Sequence, residues 1–281
     1  MSDLHSINEA INKKAGRKLL PSIAVGLSLI ALVWFTLSYQ REIFAIVVAV
    51  AVILGVRELV RAFSARGIVI SFNGLTLAAI GLSYAAWVGG VAGLAVATAI
   101  AFPLLLIRAL LQGPEGFVAK ATATTFGLLY LPFLAGFLIL LARPSTGFQR
   151  VMTFVVLVGC NDTFGYIVGV LLGKHPLVPK ISPKKTWEGL AGSLIFTMIG
   201  GALAFEYIMD MHWWIGIIVG LMIVFTATCG DLIESAMKRD LSLKDMGTLL
   251  PGHGGMLDRL DSVVLSSPAM WLALELVKHF L

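Results

Sequence analysis

The chain has 281 residues, of which 58% are hydrophobic and 13% charged, with a mean hydropathy of +0.92 and a formal net charge of +5. A soluble domain carries about 25% charged residues, so this composition excludes an ordinary soluble protein. Anionic lipid headgroups are sufficient partners for the basic excess, and nucleic acid is not needed to explain it.

Long apolar runs follow one another along the chain. A helical run of about 20 residues can cross a hydrocarbon core of about 30 Å. We predict spans at 19–39, 42–56, 69–87, 89–107, 122–142, 151–172, 189–208, 213–229 and 262–280. The third and fourth spans are separated only at Gly89–Gly90, where we expect a hairpin. The predicted fold class is all-α, a polytopic transmembrane helical bundle of about nine spans.

The basic residues predict how these spans are oriented. Of the 21 Lys and Arg residues, 17 fall in alternate connections and four in the opposite set. The basic-rich segments are 1–18, 57–68, 108–121, 173–188 and 230–261. Because cytoplasmic loops carry the excess of Lys and Arg, we expect a cytoplasmic N-terminus and a C-terminus on the far side. Residues 1–18 are too polar for a signal peptide, so the first span should remain as an anchor.

Polar residues in and beside the spans are sparse before residue 150 and concentrated after it. We therefore divide the chain into a cytoplasmic N-terminal segment (1–18), a transmembrane scaffold (19–150) and a transmembrane catalytic region (151–281).

The first polar cluster is Asn161 and Asp162, in the middle of the apolar run 151–172. A carboxylate near the bilayer centre is costly, so it normally faces a polar cavity. The alternative is a structural Asp162 that is hydrogen-bonded to a neighbouring helix.

The second cluster is the connection 173–188, which holds four lysines. Ser182 followed by Pro183 suits the start of a helix, so we predict that Lys184 and Lys185 lie in its first turn. These lysines either contribute to a site or only set the membrane topology.

The third cluster continues the eighth span. In a helix, Asp231, Glu234, Ser235 and Lys238 lie at i, i+3, i+4 and i+7 and share one face. That face is either an ordinary solvated surface with ion pairs or part of a site. An acidic residue at the edge of the hydrocarbon favours a site.

The fourth cluster ends the segment 244–261, which reads KDMGTLLPGHGGMLDRLD. Asp258 and Asp261 are three residues apart and share a face if helical. Gly252, Gly254 and Gly255 allow the backbone to approach a ligand closely and present N–H groups to phosphate oxygens. Together with Asp231, the two aspartates offer the all-oxygen ligands that Mg²⁺ prefers.

The clusters combine glycines that can bind phosphates, basic residues that neutralise phosphate charge and carboxylates that can hold a metal ion. Phosphoryl-type transfer needs this set of groups. The sequence has no Walker A motif, no HExxH and no nucleophile elbow. We therefore expect direct substitution at phosphorus by an oxyanion of the substrate.

These residues also carry a resemblance to a known family. The chain closely resembles the signature of the phosphatidate cytidylyltransferase (CDP-diacylglycerol synthase) family at Ser235-x-Met237-Lys238-Arg239, Lys244-Asp245, Gly247 and Pro251-x-His253-Gly254-Gly255-x-x-Asp258-Arg259-x-Asp261. Segments 161–166, 182–189 and 230–231 are also similar to family features. The resemblance covers about residues 155–265.

The resemblance implies that CMP passes from CTP to phosphatidic acid, giving CDP-diacylglycerol and pyrophosphate for phospholipid biosynthesis. It implies a polar cavity that opens to the cytoplasm and a place in the lipid bilayer of the inner (cytoplasmic) membrane of a bacterium. Mg²⁺ is the implied cofactor. The sequence leaves open whether a monovalent cation joins it and whether the protein is a homodimer.

The resemblance also implies residue roles. The implied metal ligands are Asp231, Asp258 and Asp261. The implied catalytic residues are Lys238, Arg239, Lys244, His253 and Arg259. The implied substrate-binding residues are Asn161, Asp162, Ser182, Lys184, Lys185, Ser235, Gly254 and Gly255.

Two of these roles have alternatives. Arg259 either neutralises phosphate charge or pairs with a neighbouring aspartate. His253 either contacts phosphate and assists proton transfer or only orders the glycine segment. A phosphomonoester is largely doubly ionised near neutral pH, so a general base is hardly required, which favours the ordering role.

Other functions fit parts of the pattern. CTP-dependent lipid kinases of the polyprenol type, and cytidylyltransferases that act on isoprenoid lipids, share the helical membrane setting. A cation-coupled transporter would explain Asp162 but would leave the glycine- and aspartate-rich segment unexplained.

Overall fold

The computed structural model describes residues 19–247 and 254–280. Its α-helices are α1 (Leu19–Tyr39), α2 (Arg41–Ser64), α3 (Phe72–Leu110), α4 (Phe117–Leu128), α5 (Leu134–Ala142), α6 (Gly147–Leu172), α7 (Trp187–Tyr207), α8 (Trp213–Asp240) and α9 (Leu257–Phe280). A π-helical turn, Leu129–Phe133, joins α4 to α5. Two short strands, β1 (Pro176–Val178) and β2 (Ser182–Thr186), lie between α6 and α7.

Seven helical stretches of the described residues are long and apolar enough to cross a membrane. They are α2, α3, the stretch Phe117–Ala142, α6, α7, α8 and α9. The predicted all-α membrane bundle is confirmed, but the count differs from nine. The apolar stretch Gly26–Tyr39 of α1 is too short to be counted, and α3 covers two predicted spans as one helix of 39 residues.

The helix α3 reverses its direction at Gly90. The backbone of Gly90 is non-helical, with φ 65° and ψ −149°, a conformation that favours glycine. A straight helix of this length would be about 58 Å long at 1.5 Å per residue. However, Nε of Arg108, near the end of α3, donates to Oγ of Ser71 at its start over 2.6 Å. The hairpin predicted at Gly89–Gly90 is therefore present.

Contacts between connections place them in two groups. At one end of the bundle, Arg41 Nη1 donates to the carbonyl of Arg143 at 3.0 Å. Arg143 in turn donates to two carbonyls just before the reversal of α3. At the other end, Arg66 Nη2 donates to the carbonyl of Asp240 at 2.5 Å. The three basic-rich connections 57–68, 173–188 and 230–261 meet at this second end, as the alternation of charge predicts.

The segment before α7 is a strand, so the helix start predicted at Ser182 is wrong. The strand β2 pairs antiparallel with β1. The N-cap of α7 is Thr186, whose side chain accepts the N–H of Gly189 at 3.1 Å. Neighbouring side chains of a strand point to opposite faces. Lys184 is accordingly exposed while Lys185 is half-buried.

Helices α6 to α9 pack in chain order, and glycines allow their backbones to approach closely. A Cβ at Gly189 of α7 would lie 2.8 Å from the carbonyl oxygen of Gly165 in α6. A Cβ at Gly230 of α8 would lie 2.5 Å from the carbonyl oxygen of Asp261 in α9. Small residues are how membrane helices reach such short separations. The contact at Gly230 places Asp231 directly beside the start of α9.

Candidate active site

The predicted site residues of α8 and α9 face each other. Nζ of Lys238 donates to Glu234 Oε2 at 2.5 Å and to Asp258 Oδ1 at 2.9 Å. The side chain of Lys238 is 18% exposed and that of Glu234 only 3%. The shared helix face predicted for Asp231, Glu234 and Lys238 therefore packs against α9. The i to i+4 ion pair of the alternative reading is present, but these exposures are too low for an ordinary solvated face.

The β-hairpin brings a second lysine to α8. Nζ of Lys185 lies 2.6 Å from Oδ2 of Asp231, and the two side chains are 28% and 27% exposed. Arg239 fixes the hairpin in place, since its Nε donates to the carbonyl of Ile181 at 3.2 Å. Of the two lysines of β2, Lys185 therefore reaches the predicted carboxylates.

Asp162 lies in the middle of α6 and faces α8 and α9. Its Oδ1 accepts a hydrogen bond from Nδ2 of Asn161 at 2.9 Å, and its Oδ2 a long one from Oγ of Ser262 at 3.5 Å. Its carboxylate also interacts electrostatically with Asp231 and Lys185. Nevertheless, Asp162 is exposed. Polar groups of two other helices therefore lie near Asp162, and the polar cavity expected from the sequence stays a prediction.

Carboxylates gather around these lysines. Asp261 is 9% exposed and interacts electrostatically with Asp231 and Glu234. The group comprises Asp162, Asp231, Glu234, Asp258 and Asp261. These five carboxylates outnumber the two lysines that form ion pairs with the group, Lys185 and Lys238. Like charges at this separation repel one another, and a cation relieves that repulsion.

The donor chemistry of the group fits Mg²⁺, which takes oxygen ligands. Oε1 of Glu234 and Oδ1 of Asn161 are buried acceptors with no hydrogen-bond partner among the described residues. Within the same residues, however, no three His, Cys, Asp or Glu side chains are arranged to hold one metal ion. The assignment of Asp231, Asp258 and Asp261 as metal ligands therefore stays a prediction.

Asp258 organises the start of α9. Its Oδ2 accepts the backbone N–H of Gly255 at 2.7 Å and that of Met246 at 3.3 Å, while its Oδ1 binds Lys238. Gly254 has φ +80°, which favours glycine. In the structure the N–H of Gly255 thus donates to Asp258. The phosphate contacts predicted for Gly254 and Gly255 stay predictions.

The remaining predicted residues differ in exposure. Lys244 is exposed, whereas Ser182, Ser235 and Arg259 are half-buried. Gly252 and His253 lie outside the described residues. Their roles stay predictions.

Two residues of the first half that no sequence pattern singled out reach the second half of the chain. Tyr130 lies in the π-helical turn and interacts electrostatically with Asp261, Glu234 and Asp231. Its buried hydroxyl has no hydrogen-bond partner within the described part of the chain. Glu58 of α2 binds the start of α9. A π-helical turn leaves no clear sequence signal. Glu58 lies just beyond the predicted span 42–56, between Arg57 and Arg61 of a basic-rich connection, where a carboxylate is ordinary.

Comparisons with known proteins agree with the motif. The sequence profile of the cytidylyltransferase family matches residues 22–277. A protein of Mycobacterium leprae named phosphatidate cytidylyltransferase is 38% identical over 280 residues, covering 94% of this chain and 90% of that protein. A protein of the same name from Mycobacterium bovis is 35% identical over 277 residues, with the same two coverages. The resemblance seen in the sequence is thereby confirmed, and the chain belongs to the cytidylyltransferase family.

Proposed function

We propose that this protein transfers CMP from CTP to phosphatidic acid, giving CDP-diacylglycerol and pyrophosphate. The observation that carries the proposal is the convergence of Asp162, Lys185, Asp231, Lys238 and Asp261 from α6, β2, α8 and α9 inside a membrane bundle. A nucleotide enzyme needs this setting when its acceptor phosphate belongs to a lipid.

The reaction is a substitution at phosphorus. An oxygen of the phosphatidate phosphate forms a bond to the α-phosphorus of CTP. The bond from that phosphorus to the oxygen bridging to the β-phosphorus breaks, and pyrophosphate leaves with the electron pair. Catalysis of this kind rests on positioning the two phosphates and on stabilising their negative charge.

Lysines and a bound cation would share the task of neutralising charge. Lys185 and Lys238 are held at the carboxylate group by ion pairs and so are placed beside any phosphate that binds there. We assign Mg²⁺ to Asp231 and Asp261, with Asp258 as the further ligand that the resemblance implies. When bound, the ion would withdraw charge from the triphosphate.

We assign residues 230–261 to the cytoplasmic side, where CTP is found, and the protein to the inner membrane of a bacterium. The support is the 17 of 21 basic residues in alternate connections. With α1 counted as a crossing, this orientation makes the N-terminus cytoplasmic.

Single-cysteine labelling should place Ser242 and Leu281 on opposite sides of the membrane. Each position would be changed to Cys in a protein in which Cys160 and Cys229 have been replaced. A membrane-impermeant maleimide should label Ser242→Cys only after the cytoplasmic face is opened, and Leu281→Cys in intact spheroplasts. Labelling of both from the same side would contradict a crossing of the membrane by α9.

The activity itself is tested with the purified protein in nanodiscs that contain phosphatidic acid. Label from α-³²P-CTP should move to the lipid with release of pyrophosphate, whereas label from γ-³²P-CTP should not. Lipid labelling from γ-³²P-CTP would instead indicate a CTP-dependent lipid kinase. Transfer to polyprenyl phosphate but not to phosphatidic acid would indicate an isoprenoid-lipid enzyme. Absence of transfer with any lipid would leave the transporter as the better reading.

Lys185→Ala is expected to lower the rate of CMP transfer by about 10²-fold, since an electrostatic contact of this kind typically contributes that much. Lys184→Ala together with Lys185→Ala should lose little more, because Lys184 lies on the exposed face of β2. Lys180→Ala, an exposed lysine of the same connection, is the matched control. Rates would be expressed per folded protein after size-exclusion chromatography. If Lys185→Ala lowers only the folded yield, this lysine is structural.

A further inference from the structure

Glu58 connects the first half of the chain to the start of α9. It lies in α2 and is 5% exposed. Its Oε1 accepts the backbone N–H of Met256 at 3.0 Å, and its Oε2 accepts that of Leu257 at 2.8 Å. The first N–H groups of a helix have no acceptor within the helix. Glu58 supplies acceptor oxygens for them, although it lies 199 residues before Leu257 in the sequence. A carboxylate is also favoured at this positive end of the helix dipole.

Two glycines lie close to the carboxylate of Glu58. A Cβ at Gly247 would lie 2.2 Å from Oε1 of Glu58, and a Cβ at Gly255 would lie 2.3 Å from Oε2. Any other side chain at either position would displace the carboxylate. Gly247 follows α8 and Gly255 precedes α9, so two separate parts of the chain converge on Glu58.

The start of α9 is thus held between two carboxylates. Glu58 binds the N–H groups of Met256 and Leu257, while Asp258 binds those of Gly255 and Met246. Asp258 faces Lys238, and Asp261 lies one turn further along the same helix. A shift or rotation of α9 at Leu257 would carry both aspartates with it.

We propose that Glu58 is a positioning residue for the transfer reaction: it fixes the first turn of α9 and contacts Gly247 and Gly255, and so sets the orientation of Asp258 and Asp261. This role rests on the proposed function. It gives a reason for the buried carboxylate of Glu58, since burial of a charge is costly unless hydrogen bonds compensate it.

Glu58→Gln tests the role with little change of shape. The amide keeps one acceptor oxygen but turns an NH₂ group toward the other backbone N–H, so one of the two hydrogen bonds is lost. A misplacement of about 1 Å can lower a rate by about 10²-fold. We expect kcat to fall by about 10- to 10²-fold and half-maximal activity to need more Mg²⁺. Hydrogen exchange of the peptide 254–262 should become faster. Glu42→Gln, an exposed glutamate of the same helix, should change none of these.

A second pair of variants keeps the test decisive if Glu58→Gln folds poorly. Gly247→Ala should lower kcat because its Cβ would collide with Glu58. Glu58→Asp withdraws the carboxylate by one methylene and makes room for that Cβ. The double variant should therefore be more active than the product of the two single effects predicts.

The outcomes separate this proposal from the proposed function. A wild-type protein without CTP- and phosphatidate-dependent pyrophosphate release would overturn the function, whatever Glu58 does. An active wild type with unchanged kcat and Mg²⁺ dependence in Glu58→Gln would overturn the role of Glu58. A Glu58→Gln protein with a lower folded yield but unchanged activity per folded molecule would also overturn this role, since Glu58 would then only stabilise the bundle.

Discussion

Asp261→Asn is expected to abolish CMP transfer and to leave the helical bundle folded. An amide keeps the shape and one acceptor oxygen but removes the charge that attracts a divalent cation. Loss of one electrostatic contact in the transition state typically lowers a rate by about 10²- to 10³-fold, and loss of a metal ligand should lower it further. Asp261 lies inside α9, four residues after Leu257, so it is not the N-cap of that helix.

The stability of Asp261→Asn should be equal to or greater than that of the wild type. Asp261 is 9% exposed and interacts unfavourably with the carboxylates of Asp231 and Glu234. Removing its charge relieves that repulsion. A gain of stability with a loss of activity is the trade-off expected of a functional residue.

The measurement is CDP-diacylglycerol formation against Mg²⁺ concentration, together with a thermal melt of the purified protein. Asp210→Asn is the matched control, because Asp210 is exposed and has φ 54°, which Asn also tolerates. Full activity with an unchanged Mg²⁺ requirement in Asp261→Asn would refute the metal assignment of this residue.

Short-range periodicity allowed much of the site to be predicted from the sequence. Asp231, Glu234 and Lys238 had to share a face once their segment was helical, and the apolar length of 213–229 made it helical. The same spacing put Asp258 and Asp261 together at the start of the last helix. A carboxylate inside an apolar run singled out Asp162, and the structure places it opposite Asp231.

Contacts between distant segments could not be predicted in this way. Nothing periodic relates Glu58 to Leu257, although their hydrogen bond is 2.8 Å long. Ser182-Pro183 resembles a helix start and so predicts a helix where the structure has a β-strand, and it is Thr186 that caps the helix. The pairing of β2 with β1 then decided which lysine turns inward, and that choice depends on strand alternation rather than on helix geometry.

Lys238→Met is expected to lower both the stability and the activity of the protein. Its Nζ lies 2.5 Å from Glu234 and 2.9 Å from Asp258, and its side chain is 18% exposed. Removing one partner of a buried ion pair typically destabilises a protein by about 3–5 kcal/mol, because a charge is left without compensation. The loss of positive charge beside the substrate phosphates should lower the rate per folded molecule by about 10²-fold or more.

A paired variant separates these two effects. Lys238→Met combined with Glu234→Gln removes a positive and a negative charge together, so it should recover most of the melting temperature. The rate of CMP transfer should remain low, because Glu234→Gln does not restore the positive charge that Lys238 places beside the substrate phosphates. Lys180→Met, on an exposed lysine, controls for the substitution itself. A double variant with nearly wild-type activity would mean that Lys238 only balances the buried Glu234, and that phosphate charge is neutralised by other groups such as Lys185.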